Sequence, residues 1–316
     1  MALTVHGIHH VTAITADITR NLEFYTGTLG LRLVKKSINQ DDVSAYHLFY
    51  ADKVASPGTD LTFFDWPAAA ANRPGVGAVA VTILRVAGHQ ALDWWEARLE
   101  AAGCQPERDE DISGREMLSF SDPEGQCLAL VDDTGLPSES VPWDAVAPAE
   151  FAMRGFFGID IASARADGTK WILDLLGFKP SRNPDVYEVS TTSGHAQVSL
   201  VDDPAARRGM PGAGGIHHVA FRVKDDDELN AYQQLLESKG LSTSGYVDRF
   251  YFHSLYFREP GGVLFELATD GPGMDRDELP GELGQRLSIP PFLESRREEI
   301  EAGLKPLPAP AYLAGT

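Results

Sequence analysis

The sequence predicts an α+β protein built from four βαβββ modules, which pair into two curved-sheet domains and are followed by a C-terminal arm. Three observations predict it. First, the pentapeptide Gly7-Ile8-His9-His10-Val11 recurs as Gly215-Ile216-His217-His218-Val219, and an internal repeat of this kind marks a repeated structural unit. Both copies run on with strand-like alternation to an acidic turn, at Asp17 or Asp225. Second, two weaker copies open at Gly75 (GVGAVAVTILRV) and Gly155 (GFFGIDIASARA). Third, an apolar stripe at helical spacing follows each opening strand and ends on a glycine suited to a left-handed helix cap.

In chain order the stripes are Ile18, Leu22, Tyr25 and Leu29 before Gly30; Leu92, Trp95 and Leu99 before Gly103; Ile172, Leu175 and Leu176 before Gly177; and Leu229, Tyr232 and Leu236 before Gly240. Short β-rich runs then follow: SAYHLFYAD with TDLTFFDW, REMLSFSDPEGQCLALVDD, DVYEVSTTSGHAQVSLVDD and YFHSLYFREPGGVLFELATD. A lone βαβββ unit cannot cover both faces of its sheet, so the units should pair and curve around a cavity. At 316 residues the chain is long enough for two domains of about 150 residues each. The chain-order division places modules one and two in 5–145, modules three and four in 150–275, and the arm in 276–316. The arm, with GELGQRLSIPPFLESRREEIEAGLKPLP, reads as a proline-started helix and a proline-rich end that covers a surface or joins a homo-oligomer.

Charge narrows the function. With 46 acidic against 27 basic side chains the net charge is −19, which repels phosphate backbones and anionic lipid. No nucleic-acid or membrane partner is expected. The N-terminal MALTVHGIHHVTAITAD has no basic-then-apolar leader, and no run reaches the roughly 18 apolar residues of a membrane span. Cys104 and Cys127 form no zinc-like spacing, and so few cysteines suit a reducing compartment. A cytoplasmic protein is expected.

Superimposing the modules exposes candidate ligands. The second position after the opening Gly-hydrophobic pair holds His10, Ala78, Gly158 and His218; the matching slot of the last strand holds Phe63 or a neighbour, Ala129, Ser199 and Glu266. A single strand histidine is more often a packing residue, but a His pair at equivalent places of two modules is not readily explained by packing. Glu266 also interrupts the apolar run Val263-Leu264-Phe265-Glu266-Leu267, where an unpartnered carboxylate would be costly. Two imidazoles and one carboxylate leave open positions on a metal, the arrangement of oxygen-activating iron sites rather than of closed structural zinc. Alternation groups His10 with Ile8, Thr12 and Ile14, and His9 with Val11 and Ala13, so by itself it does not choose the ligand of each pair.

GIHHVTAIT, KVASPGTDLTFFDWP, GIHHVAFRV, Asp248-Arg249-Phe250 through PGGVLFELATD, and SIPPFLESRREEIEAGL together resemble the hydroquinone-type, extradiol-like ring-cleaving dioxygenases of the vicinal oxygen chelate (glyoxalase) superfamily. The resemblance spans nearly the whole chain. It implies that His10, His218 and Glu266 bind Fe(II), with Mn(II) the alternative, and that modules one and four share the metal cavity. It also implies supporting roles for His9, Thr12, His217, Arg249 and Tyr256: a histidine beside the metal can take a phenolic proton, tyrosine can donate one, and arginine can stabilise negative charge. The implied partners are a small dihydroxylated aromatic and O2. His47, His89, His195 and His253 have no counterpart in the repeat and are expected to be structural or surface residues. Two other classes stay open: a glyoxalase-like isomerase or lyase, which in this superfamily uses two carboxylates, and a non-catalytic protein that sequesters an aromatic compound.

Overall fold

The four glycines placed at helix ends all adopt the left-handed conformation, with φ of 65° at Gly30, 82° at Gly103, 93° at Gly177 and 83° at Gly240. Each stops a helix and turns the chain into its first hairpin strand. In the computed structural model, which describes residues 3–192, 194–202 and 205–313, four modules follow from this punctuation. Module one comprises β1 (Ile8–Thr15), α1 (Ile18–Glu23, continued by one π turn), β2 (Arg32–Ile38), β3 (Tyr46–Ala51) and β4 (Asp60–Asp65). Module two comprises β5 (Ala78–Val86), α2 (His89–Ala101), β6 (Glu107–Glu110), β7 (Glu116–Ser121) and β8 (Cys127–Asp132). Module three comprises β9 (Phe156–Ser163), α3 (Ala166–Leu175), β10 (Lys179–Pro180), β11 (Val186–Thr191) and β12 (Gly194–Asp202). Module four comprises β13 (Ile216–Val223), α4 (Asp226–Ser238), β14 (Val247–Asp248), β15 (Phe252–Arg258) and β16 (Leu264–Pro272).

The strands form two eight-stranded sheets, ordered β14-β15-β16-β13-β1-β4-β3-β2 and β10-β11-β12-β9-β5-β8-β7-β6. Modules one and four therefore share one sheet, and modules two and three the other. The sheets cut across the chain-order division at 5–145 and 150–275. The pairing strands are the first of each module, which meet antiparallel as β1 with β13 and β5 with β9. The helices pack against the sheets through buried residues such as Leu22, Trp95, Ile172 and Tyr232, and these join one large apolar core.

Strand register corrects two positions of the superposition. Thr12 lies opposite His218 as Ile83 lies opposite Gly158, so the counterpart of His10, two residues earlier, is Val81 and not Ala78. A register irregularity between Val79 and Val81 adds the offset that residue counting cannot see. Likewise Glu266 pairs with Ala220 as Thr62 pairs with Thr12, so Thr62, and not Phe63, holds the carboxylate slot in module one. Ala129 and Ser199 hold it in modules two and three. The second sheet thus has Val81, Gly158, Ala129 and Ser199 where the first has its polar cluster, and Ile83, Ala129, Val131 and Phe157 pack together there.

The arm covers the outer strand of the first sheet. The Ser288 amide donates to the Lys36 carbonyl at 2.8 Å, extending β2 by a short parallel bridge between Lys36 and Leu287. This blunts an edge that would otherwise offer unpaired backbone groups. A 3₁₀ turn at Pro291–Arg296 leads into α5 (Arg297–Gly303), whose Ile300 packs with Ile289 on Ile38. Below, the fully buried Lys35 is neutralised by Asp277 at 2.8 Å and by Glu278, and Asp277 also accepts from the Tyr251 hydroxyl at 3.0 Å. Among the described residues no helix is long and apolar enough to cross a membrane.

Candidate metal centre and aromatic cavity

Strand geometry brings three side chains to one point. His10 lies opposite Ala220, two residues from His218 on the neighbouring strand, and Glu266 lies beside Ala220 on the next strand. Side chains two residues apart share a face, so all three project from the same side of the sheet. Of each histidine pair it is His10 and His218 that converge with Glu266, each of the three offering one atom within 4.8 Å of the others. The two Nε2 atoms are 3.2 Å apart, and Glu266 Oε2 lies 3.2 Å from His10 Nε2 and 3.0 Å from His218 Nε2. All three residues are buried, and Glu266 is fully so.

Each of these histidines is backed by its predecessor. His9 Nδ1 lies 2.9 Å from His10 Nδ1, and His217 Nδ1 lies 2.8 Å from His218 Nδ1. A histidine that offers Nε2 to a cation keeps its proton on Nδ1, and that proton is donated to the neighbouring ring, which must be neutral to accept it. Burial, helped by the adjacent His10, pulls His9 down to about 3; burial and His218 pull His217 down to about 4. Both are neutral at pH 7. Burial alone would raise the Glu266 carboxyl, but His10 and His218 together outweigh it and hold the group well below the usual carboxylate range. Ser254 Oγ donates to Glu266 Oε1 at 2.5 Å, while Oε2 has no well-formed hydrogen bond.

A cavity of about 290 Å³ opens over this cluster, lined by His10, His217, His218, Arg249, Tyr256 and His47 among others, with Phe49, Phe64, Trp66 and Phe252 as aromatic walls. It sits at the small end of the range for ligand sites, about 300–1,000 Å³, a size for one aromatic ring rather than several. Arg249 Nε donates to the Tyr256 hydroxyl at 3.2 Å, and its two Nη atoms reach the Asp41 carboxylate at 3.2 and 2.9 Å. Gln40 Nε2 donates to the Arg249 carbonyl at 2.8 Å. The loop after β2 thus clasps the turn before β15 across the cavity mouth. Burial pushes the Tyr256 phenol up, and Glu266 pushes it further, so it stays protonated; burial would lower Arg249, but Tyr256 and Asp41 hold it above its ordinary value.

The other positions singled out in the sequence divide cleanly. His217, Arg249 and Tyr256 line the cavity, whereas His9 and Thr12 stand behind its wall. Thr12 Oγ1 is 2.7 Å from Thr62 Oγ1, which is 2.9 Å from His47 Nε2. His89 pairs with Glu116, His195 with Ser190 and His253 with Asp226, all away from the cluster. His47 is different: it lines the cavity, against the expectation that it is structural or at the surface. Sequence reading also passed over Phe64, Trp66, Phe252 and the clasp residues Gln40 and Asp41. Only a two-residue alternation along β3 and β4 could have grouped His47, Phe49, Phe64 and Trp66.

The donors fit a divalent cation. Two neutral imidazoles and one carboxylate converge while Oε2 lies buried without a well-formed hydrogen bond, and three protein ligands leave positions open. If His9 orients His10, then His9→Phe should weaken the metal by about 10–100-fold, the usual cost of losing such a supporting partner. Competition with a chelator measures it; unchanged affinity would leave His9 as packing alone.

Residues 7–130 and 166–267 match the profile of the Glyoxalase/Bleomycin resistance protein/Dioxygenase superfamily, and the chain belongs to that family. It is similar along its length to a Bacillus subtilis (strain 168) protein named "Putative ring-cleaving dioxygenase MhqA", with 43% identity over 319 residues covering 96% of this chain and 100% of that one. It is also similar to the chlorohydroquinone/hydroquinone 1,2-dioxygenase of Sphingobium indicum, with 30% identity over 309 residues covering 94% of this chain and 95% of that one. A crystal structure of a Bacillus subtilis "putative dioxygenase" superimposes with a TM-score of 0.86 at 34% identity, covering 97% of this chain and 99% of that one.

Proposed function

We propose that the protein is an Fe(II)-dependent ring-cleaving dioxygenase that inserts both atoms of O2 into a hydroquinone-type (1,4-dihydroxybenzene) substrate or a related dihydroxylated aromatic. The observation that carries this reading is the three-ligand cluster of His10, His218 and Glu266, open on the side of a cavity sized and lined for one aromatic ring. The relatives named for ring cleavage, one of them for hydroquinones, point the same way. Thr62 in the second carboxylate slot disfavours a glyoxalase-like site, and a fully buried carboxylate in the wall is an expensive feature for a protein that only sequesters a ring. Two free cysteines suit a reducing, cytoplasmic setting.

Bound at these ligands, iron would supply positions for one substrate oxygen and for O2 and a path for electrons between them. The chain's own residues do the rest. Neutral His217, whose Nδ1 accepts from His218, presents its Nε2–H as a donor that stabilises the ring oxygen turned to the metal side as it ionises. Arg249 stabilises the negative charge this leaves, and the Tyr256 hydroxyl, held by Arg249, returns a proton as the ring opens. Phe64, Trp66 and Phe252 hold the ring plane and exclude water. A catechol can chelate through adjacent oxygens, whereas a para-diol reaches the metal with only one, so it depends more on such orienting groups. The test is oxygen uptake after anaerobic Fe(II) loading across hydroquinones and catechols. One O2 consumed per hydroquinone, faster than per catechol, is expected; no uptake with any diol overturns the reading, and faster catechol turnover overturns its substrate class.

A further inference from the structure

The internal twofold that relates modules one and four also relates two polar pairs. In module four, Ser254 donates to Glu266 across the β15–β16 ladder, where Ser254 lies opposite Ala268 and Glu266 opposite Tyr256. In module one the corresponding ladder, β3–β4, places His47 opposite Phe64 and Thr62 opposite Phe49. Thr62 thus takes the place of Glu266, and His47 the place of Ser254. Where module four has a short hydroxyl and a ligand carboxylate, module one has a long ring and a hydroxyl. His47 is the larger member, and it reaches the cavity wall that Thr62 does not line.

The hydrogen bonds around His47 leave one nitrogen open. Thr62 Oγ1 holds Nε2 at 2.9 Å and is itself tied to Thr12 at 2.7 Å, while Phe49 and Phe64 grip the ring faces at centroid distances of 4.1 and 4.4 Å. Among the described residues Nδ1 has no partner. Most other polar groups of the wall are engaged: Arg249 with Asp41 and Tyr256, Gln40 with the Arg249 carbonyl, and Ser37 with the Ser288 carbonyl. His217 also has a nitrogen to spare, across Phe64 from His47, but its Nδ1 is tied to the ligand His218 and it serves the hydroxyl at the metal. A diol that gives one oxygen to the metal side presents a second hydroxyl elsewhere in the cavity. A site that buries this hydroxyl must offer it a partner.

We propose that His47 is that partner: its Nδ1 hydrogen-bonds the hydroxyl remote from the metal, with Thr62 and Thr12 fixing the ring, so that His47 selects a diol over a monophenol. The inference rests on the ring-cleaving reading above. A site built to bond a hydroxyl rejects an analogue that lacks it far better than an apolar wall can.

The test measures anaerobic binding to the metal-loaded protein by titration calorimetry, so that no turnover intervenes, with hydroquinone and its isostere 4-methylphenol as probes. Wild type should prefer hydroquinone by about 10–100-fold, the scale of one buried hydrogen bond to an imidazole. His47→Phe, which keeps the ring packing of Phe49 and Phe64, should bring the two to within about 3-fold, and His47→Gln should restore part of the preference. Metal content should be unchanged in both variants. A packing role for His47 would move both ligands together and preserve the ratio, and that result overturns the assignment while leaving the dioxygenase reading intact. Wild type that binds neither ligand overturns both.

Discussion

Replacing Glu266 by glutamine is expected to lower affinity for Fe(II) on the order of 10³-fold and to abolish oxygen uptake at stoichiometric iron, since the loss of even a supporting partner costs about 10–100-fold. The substitution keeps shape and leaves Oε1 to accept from Ser254, but removes the charge that faces His10 and His218 at 3.2 and 3.0 Å. Without a cation, the carboxylate is a fully buried anion held down by His10 and His218, so its loss should also lower the stability of the metal-free protein. Equilibrium dialysis with iron and thermal melts of the metal-free forms test the two halves separately. Retention of one iron per chain by the variant would remove Glu266 from the ligand set.

Tyr256→Phe should slow turnover by about 10²-fold, the scale of one proton donor, with iron still bound. The ring stays against His218, 5.8 Å between centroids, and Arg249 keeps its two contacts to Asp41, so geometry is preserved and only the hydroxyl is lost. The effect should fall on kcat with hydroquinone, measured beside the iron content of the same preparation. An unimpaired Tyr256→Phe enzyme would assign the returning proton to another group even if the three ligands stand.

Much of the fold was legible because its punctuation is local. A glycine after each helical stripe, and a pentapeptide used twice, are sequence facts that need no tertiary knowledge. The pentapeptide pointed to the two strands that bear His10 and His218, and the lone charge in Val263–Leu267 pointed to Glu266. What resisted reading depends on pairing between distant segments. The offset that makes Val81 the counterpart of His10 arises from a strand irregularity, and irregularities follow from how two strands meet. His47 was passed over for the same reason: which face of β3 looks into a cavity is decided by a sheet that includes module four, and nothing within SAYHLFYAD announces it. The Asp41–Arg249 clasp likewise spans 208 residues and leaves no local trace.

The seam between β1 and β13 has a temporal consequence. β1 finds β4 within its own module, yet its other edge must wait for residues around 216–223 to be made. At about 5–20 residues per second of synthesis, the 208 residues between His10 and His218 take roughly 10–40 s to emerge, during which the first module carries an uncovered, apolar edge. The two strands that finally close on each other are those that carry the imidazoles. A cation held there would tie β1 to strands in the last third of the chain, so its binding free energy would act on this seam. The supply of that cation would then govern how durably the newly made chain stays shut.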